Sequence, residues 1–405
     1  MNVPFCLPFI NNDIVEEVVD TLTNTGWLTT GPKVGKFEKT LEEYCGVKKV
    51  LAVNSWNSGT TLMLKWWGIE DGDEVIIPAY TYAATALAPM NLGAKVVMVD
   101  VGEDFNIDVE QVRRAITPKT KAIIPVDIGG RPCNYQALNA LVQEESIKEK
   151  FEATNDLQKQ LGRILILADS AHSIGARYKG KMSGSLTDVS VFSFHSVKNV
   201  TTGEGGAVAL NLPKPFDNEE VYSYLKHLYL YGQTKSAFAK NKGSWKYDIV
   251  SEGIKANMSD VLASIGLAQL KIYESKLLPD RQRIFNLYNR GFEDCAWMVT
   301  PQLKTETYTS SAHLYMIRIP EFAELDRDQF IAYLKEAQVG TSVHYLPMAS
   351  FSFFKERSYR IEDYPVTSSL SQNEISLPIY NGLSDDQVAY VIEEVKKAYE
   401  RVKNN

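Results

Sequence analysis

Lys198 lies in the run Ser193-Phe194-His195-Ser196-Val197-Lys198-Asn199, and Asp169 ends the apolar run Ile164-Leu165-Ile166-Leu167-Ala168. The lysine follows the aspartate by 29 positions (198 − 169), and the glycine-rich turn Thr202-Gly203-Glu204-Gly205-Gly206 comes just after it. An amine condenses with an aldehyde to an imine, and a carboxylate keeps a pyridine nitrogen protonated so that the ring accepts electrons. Pyridoxal phosphate needs both groups. Taken singly, each residue has a plainer reading: Asp169 as the cap of the next helix, Lys198 as one more solvated lysine. Together they make Lys198 and Asp169 the candidate catalytic pair.

Other residues fit around that pair. His172, three positions after Asp169, is placed to lie against the cofactor and hydrogen-bond its phenolic oxygen, or else is a satisfied structural histidine. Ser193, at a strand end, either donates to a phosphate or caps a turn, and His195 joins it as a candidate cofactor residue. The run Asn54-Ser55-Trp56-Asn57-Ser58-Gly59-Thr60-Thr61 opens a helix directly after a strand. Free N–H groups there, with hydroxyls and a glycine for close approach, make an anion site. Ser58, Gly59 and Thr60 are its candidate phosphate ligands, an ordinary capped helix start being the alternative. Tyr82, in Tyr80-Thr81-Tyr82 after the strand ending at Pro78, is either a stacking partner for the pyridine ring or a core tyrosine.

The elements that must hold these groups alternate between strand and helix. Short apolar, β-branched runs occur at 50–53, 74–77, 95–99, 121–126, 164–168, 189–193 and 206–210. Helical spacing predicts helices over 13–24, 34–44, 259–276, 328–337 and 384–403, with Ser259 as a cap. Such a pattern indicates an α/β fold, a mostly parallel sheet sandwiched by helices, with ligands beyond the carboxyl ends of the strands. The charged stretch 135–160 reads as a solvated helical face. Residues 213–250, rich in Tyr, Lys and Gly, read as a loop or interface segment.

At 405 residues the chain is too long for one small core, so two domains are expected. Our division places an N-terminal segment and large domain at 1–255 and a smaller C-terminal α+β domain at 256–405. A net charge of −7 disfavours bulk affinity for nucleic acid or anionic lipid. Cys6, Cys45, Cys133 and Cys295 form no CxxC pair, so no metal site or disulfide framework is suggested. The opening residues do not read as a signal peptide and no apolar run is long enough to span a membrane, so a cytoplasmic protein is expected.

With these motifs assembled, the chain resembles the DegT/DnrJ/EryC1/StrS family of sugar aminotransferases. The resemblance runs through Gly26-Trp27-Leu28-Thr29-Thr30-Gly31-Pro32, Gly72-Asp73-Glu74-Val75-Ile76-Ile77-Pro78, the Asp169–Ala176 block, the Ser193–Asn199 block, Gly266-Leu267-Ala268-Gln269-Leu270 and Leu377-Pro378. It implies fold type I, with a seven-stranded sheet and pyridoxal phosphate as cofactor. Lys198 would be the imine lysine and Asp169 the partner of the ring nitrogen. His172 would contact the cofactor's oxygen side, Ser193, Gly59 and Thr60 its phosphate, and Tyr82 its ring. The family forms homodimers with shared active sites, and the stretch 253–260 matches the one that reaches the partner's phosphate, through Lys255 or Asn257. Trp27, Thr29, Thr30, His313, His344 and Tyr345 fall where relatives place substrate-side residues. The implied reaction moves an amino group from L-glutamate to a nucleotide-linked keto-sugar, such as a UDP- or dTDP-linked 4-keto-6-deoxy sugar, in surface glycan or related amino-sugar synthesis. A dehydrating branch carries His in place of the lysine, so Lys198 argues for transamination. A sugar dehydratase or lyase, or a non-catalytic protein of the same fold, is the alternative. Two departures are Thr187, where relatives have Gly, and a helix near 142–161 expected to be longer than usual.

Overall fold

The computed structural model describes residues 1–235 and 246–404. Its centre is a seven-stranded sheet. The strands, in chain order, are β1 (Lys49–Val53), β2 (Glu74–Pro78), β3 (Lys95–Val99), β4 (Thr120–Ile123), β5 (Leu165–Asp169), β8 (Val189–Ser193) and β9 (Gly206–Leu210), β6 (Arg177–Tyr178) and β7 (Lys181–Met182) forming a small hairpin between them. The spatial order is β1-β9-β8-β5-β4-β2-β3. β9 runs antiparallel to both its neighbours, and the pairings β8/β5, β5/β4, β4/β2 and β2/β3 are parallel. The near-continuous burial of these strands follows from helices on both faces.

The helices over the sheet obey local rules. Ser55 caps Trp56–Trp67 by accepting from the Ser58 amide at 3.1 Å, a contact worth about 1 kcal/mol. Gly59 sits one turn in, where a Cβ would meet Val208 at 2.9 Å and Val191 at 3.1 Å. That glycine lets the helix lie close on β8 and β9. At Gly206 a Cβ would press on the backbone of Ser55 and Trp56 at 2.6 and 2.7 Å, so the same helix start rests directly on β9.

A second core gathers β11 (Tyr315–Arg318) and β12 (Glu374–Leu377), paired antiparallel, with helices Leu278–Gly291, Glu324–Glu336 and Asp385–Lys403, while the short strand β10 (Tyr308–Thr309) pairs with β6. Two features cross the 255/256 division. Val3 is bonded to Gln338 and Gly340 and buried in this second core. Helix Asp260–Ile272 packs with Val34, Phe37 and β1 in the core of the sheet.

Some expectations need correction. Residues 135–160 are not one long helix but three short ones, Tyr135–Leu141, Glu145–Lys148 and Asp156–Leu161. Asn155 breaks the run by capping the third, and its side-chain amide also binds the Trp67 carbonyl. Within 213–250, Asn218–Leu228 is a helix capped by Asp217; residues 236–245 lie outside the described residues. The helix expected over 259–276 is α-helical to Ile272, continues as a π-helical segment, Tyr273–Leu277, and runs on into a further helix, Leu278–Gly291, with Pro279 in its first turn. Among the described residues no helix is long and apolar enough to cross a membrane.

Candidate active site

β5 delivers Asp169 to the carboxyl edge of the sheet, where its carboxylate is 5 % exposed. Thr85 Oγ1 donates to one oxygen at 3.0 Å and the Ala171 amide to the other at 3.2 Å. No cation is bonded to it among the described residues. Burial therefore dominates and pushes its pKa up to about 7, even with the Lys198 charge pulling the other way. The loop after β8 carries Lys198 to the same pocket. Its Nζ makes no hydrogen bond or ion pair among the described residues, and burial pulls its pKa down to about 8. An amine that sheds its proton near neutrality is the form that attacks a carbonyl. Asn199, the next residue, pins the loop by donating to the Ser311 carbonyl at 2.8 Å and to the Tyr273 hydroxyl at 3.3 Å.

His172 forms one wall. Its Nδ1 accepts from the Gly129 amide at 3.3 Å, which leaves Nε2 to donate to the Tyr345 hydroxyl at 3.1 Å. Its ring lies 4.3 Å from that of His313. His313 Nδ1 contacts Asn199 Oδ1 at 2.8 Å, joining the lysine loop to this wall. Burial and the Lys198 charge hold both imidazoles well below the usual histidine range, so both are neutral. His344 and Tyr345 complete the wall. Tyr82, 62 % exposed, lines the mouth with its ring 6.0 Å from that of Tyr345. Ser193 and His195 line the pocket too, the Ser193 hydroxyl accepting from the His195 amide at 3.4 Å.

The anion corner is displaced from the expected residues. The pocket is lined by Ser55, Trp56 and Asn57, the cap and first turn of the helix, where free backbone N–H groups and the dipole favour an anion. Ser58 is one turn further on and is tied to Ser55 Oγ at 2.9 Å. Gly59 and Thr60 face the sheet and are buried. The sequence reading took the run 54–61 as the helix start but chose its phosphate ligands, Ser58, Gly59 and Thr60, three residues past the turn that lines the pocket. The signal available was Ser55 itself, a cap directly after the strand. Thr85, which holds Asp169, belongs to no local motif and was missed; Asn199 lies in the quoted lysine run, but its part in pinning the loop was missed.

Five further candidates stand outside this pocket. Trp27 Nε1 donates to the Thr30 carbonyl at 2.9 Å, Thr30 Oγ1 to the Met258 carbonyl at 2.7 Å, and Asn257 Nδ2 to Thr30 Oγ1 at 2.6 Å. Thr29 accepts from Asp260 through its carbonyl, and Lys255 is exposed. These residues form a separate cluster on the same chain. Asn257 Oδ1 in that cluster, and the Trp56 indole N–H at the anion corner, are buried without a partner among the described residues.

The pocket fits pyridoxal phosphate. It offers an unpaired lysine amine, a buried carboxylate with spare lone pairs, and a helix start for a phosphate. Comparison with known proteins agrees. The DegT/DnrJ/EryC1/StrS aminotransferase family model matches residues 8–396. A Streptococcus pneumoniae protein assigned as a sugar aminotransferase, solved in its pyridoxamine-phosphate form, superposes with a TM-score of 0.95 at 41% identity, covering 99% of this chain and 100% of that one. The same protein is known in pyridoxal-phosphate and apo forms. The Bacillus subtilis spore coat polysaccharide biosynthesis protein SpsC is 35% identical over 399 residues, 97% of this chain and 96% of that protein. Helicobacter pylori PseC, an aminotransferase involved in the biosynthesis of pseudoaminic acid, superposes with a TM-score of 0.84 at 26% identity, covering 99% and 100%. A seven-stranded sheet with one antiparallel strand, a lysine and an aspartate at its carboxyl edge, and a match along nearly the whole sequence thus converge: the chain belongs to the DegT/DnrJ/EryC1/StrS aminotransferase family, whose cofactor is pyridoxal phosphate.

Proposed function

We propose that the protein transfers an amino group from L-glutamate to a keto-sugar carried on a nucleoside diphosphate, in the cytoplasm, as a homodimer with shared sites. The observation that carries this is the meeting of Lys198 and Asp169 in one pocket, with His172 beside them. SpsC and PseC supply the sugar context.

Pyridoxal phosphate, when bound, supplies an aldehyde for covalent attachment and an electron sink. Lys198 would hold it through Nζ, and the same nitrogen, with its pKa lowered by burial, is the base that would move a proton at the amino donor's α-carbon. Asp169 would face the ring nitrogen and keep it protonated; Thr85 and Ala171 orient its oxygens without neutralising it. His172, whose Nε2–H meets the Tyr345 hydroxyl, would stand on the ring's oxygen side. Ser193 and the helix start at Ser55–Asn57 would hold the phosphate, and Tyr82, at the mouth, would cover the ring. His313, His344 and Tyr345 face the substrate. In the dimer, Lys255 and Asn257 reach the partner's phosphate and Trp27, Thr29 and Thr30 its substrate. That reading is supported by their lying outside their own chain's pocket and by the unpartnered Asn257 oxygen.

The test is absorbance of the purified protein with pyridoxal phosphate. A visible band that gives way to a near-ultraviolet one on adding L-glutamate, and is absent in Lys198→Ala, is expected. A panel of UDP- and dTDP-linked keto-sugars should then restore the visible band. A stable visible band indifferent to L-glutamate would overturn the donor assignment.

A further inference from the structure

Behind the substrate wall lies a buried carboxyl that the proposed reaction does not use. Glu374 begins β12, with its side chain fully buried. Residues two apart on a strand share a face. Glu374 and Ser376 therefore point one way, toward the segment carrying His344, while Ile375 and Leu377 point into the second core. Main-chain bonds between Ser342 and Ser376, at 2.8 and 3.2 Å, set the register.

Three hydrogen bonds follow. The His344 amide donates to Glu374 Oε2 at 2.8 Å, Ser376 Oγ contacts Glu374 Oε1 at 2.6 Å, and His344 Nδ1 contacts Ser376 Oγ at 2.8 Å. His344 Nε2 has no protein partner among the described residues, and the ring lines the Lys198 pocket. The Phe5 ring stacks on it at 5.6 Å. Among the described residues no cation bonds Glu374. Arg327, buried nearby, spends its guanidinium on the Ser371 carbonyl, Glu324 and Asp328.

We infer that Glu374 and Ser376 are positioning residues that set whether His344 presents a hydrogen-bond donor or an acceptor to the Lys198 pocket; this rests on that pocket being the substrate site. The chain of bonds permits two arrangements. With Glu374 protonated, Oε1–H donates to Ser376 Oγ, the serine hydroxyl donates to Nδ1, and the His344 proton sits on Nε2. With Glu374 ionised, Nδ1–H donates to Ser376, the serine donates to Oε1, and Nε2 offers a lone pair. Passing from the first to the second, one proton leaves from Nε2, one moves from serine to Nδ1, and one moves from Glu374 to serine. The donor form suits a carboxylate or ketone oxygen of a bound substrate, the acceptor form an ammonium or hydroxyl.

The charges support two neutral-ring states. Burial and the Lys198 charge hold His344 down at about 4, so the ring changes tautomer rather than charge. Burial raises Glu374 to about 8, against the pull of Ser376, the His344 amide and Arg327. The other titratable groups around the two are the Tyr80 and Tyr345 hydroxyls on the Glu374 side, and Lys198, His172 and His313 across the pocket.

The chain has five histidines, so ¹⁵N-histidine NMR of the cofactor-loaded protein resolves His344 by comparison with His344→Gln. In the wild type its nitrogen shifts should exchange between Nε2–H and Nδ1–H patterns as pH rises through the Glu374 titration. In Glu374→Gln the carbonyl oxygen is held by the His344 amide, which turns the NH2 to donate to Ser376, so the variant should hold the Nε2–H pattern throughout, and Ser376→Ala should abolish the pH response. Ser376→Thr should restore it. In steady state, Ser376→Ala should raise KM several-fold with a smaller change in kcat. His344 shifts identical in wild type and Ser376→Ala would overturn the relay, whatever becomes of Glu374→Gln. Failure of the wild type to form a visible band with pyridoxal phosphate would instead sink the functional reading and leave the tautomer result standing.

Discussion

The pocket has two unlike halves. Its floor, Asp169 and Lys198, comes from the ends of β5 and β8 and their loops, inside a sheet whose strands pair in register. Its wall, His313, His344 and Tyr345, comes from segments beside β11 and β12, more than a hundred residues further along. Each half holds a buried carboxyl with a raised pKa, Asp169 and Glu374. Asp169 faces a lysine amine and a hydroxyl donor. Glu374 faces only a serine, a backbone amide and, through that serine, a histidine. Two carboxyls with similar burial thus have different uses: one confronts a charge, the other orients a neutral ring.

If that contrast holds, floor substitutions should strike cofactor and kcat, and wall substitutions should strike KM. The largest effect is expected for Lys198→Ala, with loss of the visible band and a fall in kcat of at least about 10³-fold, read by single-turnover absorbance. Asp169→Asn should keep the fold yet lower kcat by roughly 10²-fold or more, since it removes the charge that the ring nitrogen needs. Thr85→Val, nearly isosteric, removes one hydrogen bond to that carboxylate. A charge-assisted bond is worth about 1.5–3 kcal/mol, which predicts a kcat roughly tenfold lower or more. Tyr345→Phe removes the hydroxyl that meets His172 and should alter KM for the sugar by only several-fold, measured with the donor saturating. A kcat loss as large as that of Thr85→Val would erase the division between floor and wall.

The smallest predicted effect is on stability. Folded Asp169 and Glu374 keep protons that an unfolded carboxyl has lost by about pH 5. The folded state then binds more protons, so stability falls as pH rises toward 8. His172, His313 and His344, with lowered pKa values, contribute in the opposite direction, but that contribution is complete just above about pH 6.5. Lys198, lowered to about 8, adds stability only above that value. Urea midpoints of the cofactor-free protein should therefore drop between about pH 6.5 and 8, and Asp169→Asn should flatten the drop. An unchanged slope in that variant would show that Asp169 ionises freely in the fold.

Much of the floor was legible because it is local. Apolar strands ending in Asp169 and the block around Lys198 are short-range patterns, and a buried parallel strand must be apolar throughout. The anion corner was read three residues late because Ser55 and Ser58 are both competent caps, and only packing on β9 chooses between them. The broken helical stretch at 135–160 was misread because charge periodicity does not register Asn155 capping a new start. His344 was visible as a residue type, while its partners Glu374 and Ser376 were not, since they lie on a different strand.

The sequence by itself therefore determined the strand order of chemistry along the chain: which residues are apolar, where helices are capped, and that a lysine and an aspartate terminate neighbouring elements. Local backbone preferences and side-chain periodicity are encoded within a few residues, so they can be read there. The tertiary structure alone decided which distant groups meet. It brought Thr85 to Asp169, Asn199 to His313, and Glu374 through Ser376 to His344. Those contacts depend on the sheet order and on burying two cores at once, and no local stretch of sequence contains that information.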